Sequence, residues 1–191
     1  MTHHTRTIGI LALQGDFEAH QRALERAGAH GVEVRSAAEL DRVDGLILPG
    51  GESTTMLKLL RIEDLLEPLC RFGERRPIFG TCAGAILLAS RVTHPDQESL
   101  GLMDMDVERN AYGRQLDSHV AILDDAEGGP LEAVFIRAPI IRRVGPAAHV
   151  LAHYHGDPVL VEHGRHLAAT FHPELTDDAR VHGWFVRMVS V

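Results

Sequence analysis

Features typical of secreted and membrane proteins are scarce in this sequence of 191 residues. It has only two cysteines, Cys70 and Cys82, which are too few for the disulfide framework of small secreted domains. No run reaches the ~20 apolar residues that a membrane-spanning helix needs. The residues before Ile8 also lack the apolar core of a secretory signal. These absences predict a cytoplasmic protein that does not enter a membrane.

An excess of positive charge is also missing. Lysine and arginine together number 19, against 27 aspartates and glutamates, and the formal net charge is −8. Proteins that bind nucleic acids usually carry a basic stripe or patch. The nearest approach to one is Arg71 with Arg75 and Arg76, which Glu74 interrupts and which a solvated helix end explains better. The composition therefore predicts no nucleic-acid partner.

Short apolar runs alternate with helical patterns through the first half of the sequence. The runs 7–13, 45–48 and 77–79 are almost continuously apolar, which is typical of strands buried on both faces. Strand–helix alternation with short loops predicts an α/β fold, with a mostly parallel central sheet and helices on both faces. No repeat, linker or low-complexity segment interrupts it. We therefore expect one domain over residues 1–191.

The pattern changes after Pro95 and predicts a small antiparallel extension. Strands at 103–109 and 115–123 are expected to pair as a hairpin around residues 110–113, and 134–137 is another short strand. Segments 149–155 and 159–163 are expected to pair with each other. Asp177 or Asp178 is expected to cap a last helix that runs to Met188.

Gly80-Thr81-Cys82-Ala83-Gly84 joins a predicted strand to a predicted helix and has the pattern of a nucleophile elbow. In such an elbow the nucleophile lies on a sharp turn, and glycines two residues away leave room for neighbouring backbone. The first N–H groups of the following helix stabilise negative charge on the nucleophile. The pattern predicts a nucleophilic cysteine, and the alternative is a buried structural cysteine beside helix-packing glycines.

Pro49-Gly50-Gly51 follows another buried strand. The carboxyl edge of a parallel sheet is where α/β proteins bind ligands. A backbone N–H of this loop and that of Ala83 are therefore candidates for an oxyanion hole. Taken alone, an ordinary turn is the better explanation, because Pro-Gly-Gly is good turn chemistry.

His172-Pro173-Glu174 provides a candidate base. Proline favours extended backbone in the residue before it, and in an extended chain residues i and i+2 face the same side. We therefore predict that His172 and Glu174 point towards one site and complete a triad with Cys82. A single His-x-Glu is weak on its own, because the sequence has 13 histidines and most are expected at the surface.

Together these segments resemble the class I, or triad-type, glutamine amidotransferases, and within them the glutaminase subunits of pyridoxal 5′-phosphate synthase. The resemblance covers nearly the whole chain. The segments that carry it are Leu11-Ala12-Leu13-Gln14-Gly15, residues 45–55 with the sequence GLILPGGESTT, Phe79 to Gly84, Glu108-Arg109-Asn110, Tyr112-Gly113-Arg114-Gln115, Phe135-Ile136-Arg137-Ala138-Pro139 and Phe171-His172-Pro173-Glu174-Leu175-Thr176.

The resemblance implies hydrolysis of the side-chain amide of L-glutamine to glutamate and ammonia. Cys82 would form a γ-glutamyl thioester, with His172 as acid and base and Glu174 orienting it. The N–H groups of Gly51 and Ala83 would form the oxyanion hole. An arginine suits the α-carboxylate of the substrate, and the sequence does not decide between Arg109 and Arg137. The positions that match glutamine-binding residues of the family are Gly50, Gly51, Glu52, Arg109, Ile136 and Arg137.

The resemblance also implies a partner. In the family, ammonia passes to a synthase subunit within a large hetero-oligomer, which combines it with a pentose phosphate and a triose phosphate. Pyridoxal 5′-phosphate is then the product of the complex, so this chain is expected to hold no cofactor. The glutaminase is usually quiescent until the synthase docks, and Gln14 matches a glutamine near the oxyanion site at that interface.

No metal site is predicted. The segment 149–166 is rich in histidine, and His153 and His155 alternate on a predicted strand. No cysteine or carboxylate stands at a recognised metal-binding spacing from them. The role of this segment is left open by the sequence.

Three other functions are compatible with the sequence. The first is a glutaminase subunit of another ammonia-channelling synthase, such as that of histidine biosynthesis, although Thr81, Ala83 and the Arg109 segment favour the vitamin B6 complex. The second is a catalytically idle regulatory or binding subunit, against which all three triad positions are filled. The third is a stand-alone cysteine hydrolase, such as a peptidase of γ-glutamyl bonds, which strong activity without a partner would favour.

Overall fold

The computed structural model describes residues 6–110 and 118–190 of the chain. Tyr112-Gly113-Arg114-Gln115, and with it the centre of the predicted hairpin, lies outside the described residues. The elements in chain order are β1 (Ile8–Leu11), α1 (Phe17–Arg26), β2 (Gly31–Val34), α2 (Ala37–Leu40), β3 (Gly45–Leu48), α3 (Ser53–Ile62), α4 (Leu66–Gly73), β4 (Ile78–Thr81), α5 (Ala83–Leu88), β5 (Ala89–Thr93), β6 (Met103–Glu108), β7 (His119–Leu123), β8 (Leu131–Phe135), β9 (Ile140–Val144), β10 (Ala148–Tyr154), β11 (Asp157–His163), β12 (His166–Ala169), a 3₁₀ turn (Pro173–Leu175) and α6 (Arg180–Val189).

Seven strands form the central sheet, in the order β10-β11-β12-β4-β3-β1-β2. Strands β1 to β4 and β12 run parallel, while β10 and β11 are antiparallel at one edge. Two smaller sheets are formed by β5-β6-β9 and by β7-β8. The predicted α/β class, with a mostly parallel sheet and a small antiparallel extension, is confirmed.

Buried apolar side chains form two clusters, one on each face of the central sheet. One cluster joins Ile78 of β4 to helices α2 to α5. The other joins its neighbour Phe79 to Leu24 of α1 and Phe185 of α6. Successive side chains of a strand point to opposite faces, so a strand covered on both faces must be continuously apolar. None of the described helices is long and apolar enough to cross a membrane.

The predicted hairpin between 103–109 and 115–123 is wrong. Strand β6 pairs with β5 and β9, and β7 pairs instead with β8. Strands β5 and β9 were not predicted from the sequence. Strand pairing depends on which apolar faces meet across distant segments, and the local pattern around 103–123 does not contain that information.

The predicted cap of the last helix is also wrong in its position. The N-cap of α6 is Ala179, one residue after the predicted aspartates. Asp178 still acts on this helix end, because its Oδ1 accepts a hydrogen bond of 3.0 Å from the backbone N–H of Arg180. The carboxylate satisfies a free helix N–H as expected, from one position earlier.

Candidate active site

Four parallel strands bring the predicted site residues to one edge of the central sheet. Strands β1, β3, β4 and β12 end there, because the carboxyl ends of parallel strands meet at the same edge. The chain continues from these ends to Gln14, to Gly50, to Cys82 and to His172. Segments far apart in sequence therefore converge on Cys82.

Cys82 occupies the turn between β4 and α5, with φ 47° and ψ −103°, a backbone conformation that residues with a side chain rarely adopt. A Cβ on Gly80 would lie 2.5 Å from the carbonyl carbon of Gly84. A Cβ on Gly84 would lie 2.1 Å from the carbonyl oxygen of Leu48. The backbone N–H of Cys82 donates to the carbonyl of Ala169 at 2.8 Å, which joins the turn to β12. The elbow geometry expected from the Gly-x-Cys-x-Gly pattern is present.

His172 and Glu174 are both buried, and Nδ1 of His172 lies 2.8 Å from Oε1 of Glu174. The backbone that brings them together differs from the prediction. Pro173 begins a 3₁₀ turn, so the segment from His172 to Glu174 is not extended, contrary to the prediction. The turn folds Glu174 back onto the ring of His172, whereas a strand would have set the two side chains parallel. Proximity was predicted correctly, and its cause was not.

Opposing effects set the charges of this pair. Burial disfavours the imidazolium, but interactions with the side chains of Cys82 and Glu174 outweigh it and raise the pKa of His172 to about 10. Burial also disfavours the carboxylate, but His20 and His172 outweigh it and lower the pKa of Glu174 to about 2. At neutral pH the pair is an imidazolium and a carboxylate. His172 can therefore donate a proton to the leaving group of an acyl compound that Cys82 attacks.

The loop after β3 packs against the histidine and the cysteine. A Cβ on Gly50 would lie 2.5 Å from Cε1 of His172 and 3.4 Å from Cβ of Cys82. The missing side chain at Gly50 therefore allows His172 to approach Cys82. Gly51 follows with φ 135°, in the region that favours glycine.

The side-chain amide of Gln14 holds this loop from the other side. Its Nε2 donates to the carbonyl of Gly50 at 3.4 Å, and its Oε1 accepts from the backbone N–H of Glu52 at 3.2 Å. Gln14 thus bonds the residues on both sides of Gly51, one of the two predicted oxyanion donors. The other, Ala83, is the first residue of α5, where a backbone N–H has no acceptor within the helix.

A cleft of about 190 Å³ opens at this edge of the sheet. It contains Cys82 and His172 together with most of the residues predicted to bind glutamine. The carbonyl oxygen of Ile136 lies 3.9 Å from Sγ of Cys82. The lining residues are Gly51, Glu52, Ser53, Cys82, Ile86, Arg109, Asn110, Ile136, Arg137 and His172.

The two candidate arginines differ in their surroundings. Nη2 of Arg109 lies 2.8 Å from Oγ1 of Thr54 and 3.3 Å from Oε1 of Glu52. Arg137 is exposed at the cleft with φ 45°, and no residue in the described ranges forms a hydrogen bond or ion pair with its side chain. The guanidinium of Arg137 is thus open to a ligand, while that of Arg109 is already bonded.

Glu52 is occupied as a helix cap. Its carboxylate accepts from the backbone N–H groups of Thr54 at 3.0 Å and Thr55 at 2.7 Å, at the start of α3. Partial burial works against the charge, but the bonds from Thr55 and Thr54 outweigh it and lower the pKa of Glu52 to about 2. Glu52 therefore brings a fixed negative charge to the cleft.

The histidine-rich segment makes structural hydrogen bonds. His153 Nδ1 lies 2.8 Å from Oδ2 of Asp125, a carboxylate distant in sequence. His166 Nδ1 accepts from the backbone N–H of Ile78 at 3.2 Å, and burial lowers the pKa of its ring to about 4. Within residues 6–110 and 118–190, no three side chains of metal-binding type are grouped to hold an ion.

Sequence reasoning missed two buried histidines behind Glu174, namely His20 on α1 and His182 on α6. His20 Nε2 lies 3.6 Å from Oε1 of Glu174. A signal was available, because His20 precedes the buried Leu24 by four residues and His182 precedes the buried Phe185 by three. Both histidines therefore lie on the apolar face of their helix.

Known proteins share this architecture. The model of the SNO glutamine amidotransferase family matches residues 10–191. The chain belongs to this family. The pyridoxal 5′-phosphate synthase subunit PdxT of Solibacter usitatus is 62% identical over 188 residues, covering 95% of this chain and 98% of the relative. The PdxT subunit of Koribacter versatilis is 54% identical over 183 residues, covering 95% of each chain.

Solved structures agree with this membership. A crystal structure of a glutamine amidotransferase superposes with a TM-score of 0.89 at 46% identity, covering 96% of this chain and 99% of that one. The structure of PurLQS from Thermotoga maritima gives a TM-score of 0.64 at 17% identity, covering 97% and 96%, and shares the fold alone. The resemblance to triad-type glutamine amidotransferases is confirmed.

Proposed function

We propose that this chain hydrolyses L-glutamine with Cys82, His172 and Glu174 and delivers ammonia to the synthase subunit of pyridoxal 5′-phosphate synthase. The observation that carries the proposal is the buried His172–Glu174 pair beside a cysteine held on a strained elbow. The 62% identity to a PdxT subunit supports the partner. The whole chain acts as one amidotransferase domain.

Acylation begins when Sγ of Cys82 attacks the δ-carbon of glutamine. The carbonyl oxygen becomes an oxyanion, which the N–H groups of Gly51 and Ala83 stabilise. The imidazolium of His172 then gives a proton to the departing nitrogen, the C–N bond breaks, and ammonia leaves behind a γ-glutamyl thioester. Glu174 keeps the ring of His172 in the orientation that this transfer requires.

Deacylation reverses the proton path. Neutral His172 takes a proton from water, the resulting hydroxide adds to the thioester, and the C–S bond breaks to release glutamate. Gly50 and Ile136 shape the cleft around the reacting atoms, and Arg137 binds the α-carboxylate of the substrate. Arg109 orients Glu52 and the start of α3 at the other side of the cleft.

Docking of the synthase acts at the loop that Gln14 holds. This proposal is supported by the position of Gln14, whose amide bonds Gly50 and Glu52 on either side of an oxyanion donor. A partner that contacts Gln14 is therefore able to change the oxyanion site directly. The assembly is a large hetero-oligomer. Its location is the cytoplasm, in keeping with a sequence that has only two cysteines.

The first experiment measures glutamate release from L-glutamine by the purified chain, alone and with the cognate synthase. Cys82→Ala is the control, since it removes the nucleophile and little else. Activity that rises with synthase and vanishes in this variant supports the proposal. Strong activity without synthase favours a stand-alone hydrolase, and no activity in either case favours an idle subunit or another synthase.

A structural role of Cys82 is tested with the same variant. Cys82→Ala is expected to keep its circular dichroism spectrum and its binding to the synthase, because alanine fills most of the same space at the elbow. Loss of folding in this variant would mean that Cys82 is a structural residue.

A further inference from the structure

Two buried histidines form a chain of contacts behind the carboxylate of Glu174. Both His20 and His182 have no exposed surface. Nδ1 of His20 lies 3.0 Å from Nε2 of His182. Nε2 of His20 lies 3.1 Å from Oγ1 of Thr81 and 3.6 Å from Oε1 of Glu174. Glu174 thus contacts His20 on α1 directly and is linked through it to His182 on α6, and the triad itself uses neither histidine.

Both rings are neutral at neutral pH, and His20 carries the charge that lowers the pKa of Glu174 only at a pH acidic enough to protonate it. Burial lowers the pKa of His20 and outweighs the opposing attraction of Glu174. Burial and the neighbouring His20 lower the pKa of His182 to about 3. Each ring therefore has one N–H and one lone pair, and the contacts decide which nitrogen carries the proton.

The contacts favour one tautomer of each ring. A proton on Nε2 of His20 faces the carboxylate of Glu174, whereas a lone pair there would be repelled by it. Nδ1 of His20 is then an acceptor, and Nε2 of His182 donates to it. The opposite arrangement would leave a buried N–H at Nδ1 of His182, an atom with no partner among the described residues. His182 therefore donates to His20, and the Nε2–H of His20 bonds Oγ1 of Thr81 at 3.1 Å while it faces Oε1 of Glu174 at 3.6 Å.

Glu174 has few other partners. Oε1 lies 2.8 Å from His172, and buried Oε2 has no hydrogen-bond partner within the described residues. A buried carboxylate with a free oxygen is able to rotate unless another group fixes it. The N–H of His20 is placed to favour one orientation, because it faces Oε1, the same oxygen that bonds His172.

We propose that His20, supported by His182, is a positioning residue that holds Glu174 in the rotamer that bonds His172. The proposal deepens the proposed glutaminase function and rests on it. Its effect is expected on kcat rather than on KM, because His20 touches neither the cleft nor the substrate. The contact of 3.6 Å is longer than a full hydrogen bond, so the effect is modest.

The test compares His20→Gln with His20→Asn in the chain assembled with its synthase. The amide nitrogen of glutamine can reach the place of Nε2 and donate towards Glu174. Asparagine reaches only the place of Nδ1, so it can bond His182 but not Glu174. Both put a neutral amide at the same buried site, and their costs for folding are matched. We expect His20→Asn to lower kcat about fivefold with KM nearly unchanged. His20→Gln should keep most of the wild-type kcat.

A control variant separates this role from general support of the same segment. Arg26 on α1 contacts the residues just after Glu174, since its Nη2 donates to the carbonyl of Thr176 at 2.8 Å. Arg26→Met removes that bond without touching Glu174. It is expected to lower the melting temperature and to leave kcat unchanged.

Proton NMR of the free chain gives a readout that does not depend on glutamine hydrolysis. The Nδ1–H of His172, bonded to Glu174, is expected to give a far-downfield signal that disappears in His172→Gln. The signal should weaken in His20→Asn and persist in His20→Gln and Arg26→Met. Equal kcat and equal signals in the two His20 variants would overturn the proposal. A wild-type chain that shows the signal when free but releases no glutamate with its synthase would contradict the function instead.

Discussion

Gly50 and His172 are in direct contact, and a Cβ on Gly50 would lie 2.5 Å from Cε1 and 3.1 Å from Nδ1 of the ring. The atom that such a Cβ meets belongs to a buried ring whose Nδ1 Glu174 holds at 2.8 Å. The ring therefore has little freedom to retreat. Absence of a side chain at this position fixes how closely the base can approach Cys82.

We expect Gly50→Ala to reduce glutaminase activity about a hundredfold, because displacing a catalytic group by ~1 Å has an effect of this size. Steady-state kinetics with synthase measures it. Gly183→Ala is the control, since Gly183 lies inside α6 and a Cβ there would meet, among the described residues, only Arg187, at 3.7 Å. The control should keep full activity and gain about 0.5–1 kcal/mol in free energy of unfolding. Wild-type activity in Gly50→Ala would show that the ring can move without consequence.

The sequence was sufficient to predict a mostly parallel central sheet and the edge of it at which the candidate residues meet. Apolar runs such as 45–48 are continuous because both faces of the sheet are covered, and that pattern is local. The elbow was predictable because Gly80 and Gly84 avoid backbone contacts that any side chain would make. Parallel strands then placed Gly50, Cys82 and His172 at one edge.

What the sequence did not predict depends on contacts between distant segments. Strand β5 follows α5 without a break, and the apolar run from Ala85 gives no sign of where the helix ends. The pairing of β6 with β9 joins segments more than thirty residues apart, as Val107 with Ile141 shows. The spacing of His20 on α1 indicates burial, but its partner His182 lies 162 residues further along the chain, on α6.

The charge of His172 predicts a pH dependence of stability. Its pKa is about 10 in the folded chain against an ordinary value of 6.5, so between these pH values the folded chain holds more protons. The stabilisation is therefore complete below pH 6.5 and is lost as the pH rises towards 10. Glu174 stays ionised throughout, because its pKa is about 2.

Urea unfolding at several pH values between 7 and 9 is the measurement for this prediction. The free energy of unfolding of the wild type, relative to His172→Gln, should fall by up to about 1.4 kcal/mol per pH unit. Cys82→Ala should show a smaller slope, because the Cys82 side chain contributes to the raised pKa of His172. A difference between wild type and His172→Gln that does not change with pH would contradict the assigned charges.

The two arginines of the cleft are expected to respond differently to substitution. Arg137→Met should raise KM for glutamine about 10- to 100-fold with a smaller change in kcat, because it removes the charged bond that we propose Arg137 makes to the α-carboxylate. Arg109→Met should also lower the melting temperature, since Arg109 bonds Thr54 and Glu52 at the start of α3. Kinetics and thermal unfolding of both variants check this. An unchanged KM in Arg137→Met would indicate that Arg109, and not Arg137, binds the α-carboxylate of the substrate.

The bonds of Gln14 predict an effect on the oxyanion site. Gln14→Leu removes both the donor to the Gly50 carbonyl and the acceptor of the Glu52 N–H, whereas Gln14→Glu keeps only the acceptor. Both should lower kcat in the presence of synthase by about tenfold or more, since a misplaced oxyanion donor stabilises the transition state less. KM should change little, because the oxyanion exists only during the reaction.

A lower kcat in the Gln14 variants could come from the oxyanion site or from a change at Cys82 itself. Alkylation of Cys82 by iodoacetamide in the free chain separates these two causes. This reaction needs an intact elbow and His172 but no oxyanion hole. Its rate should therefore match the wild type in Gln14→Leu. A slower rate would mean that Gln14 acts on Cys82 itself through packing. Full synthase-stimulated activity in Gln14→Leu would show that Gln14 has no role in the mechanism. The position of the loop that its amide holds would then not affect hydrolysis.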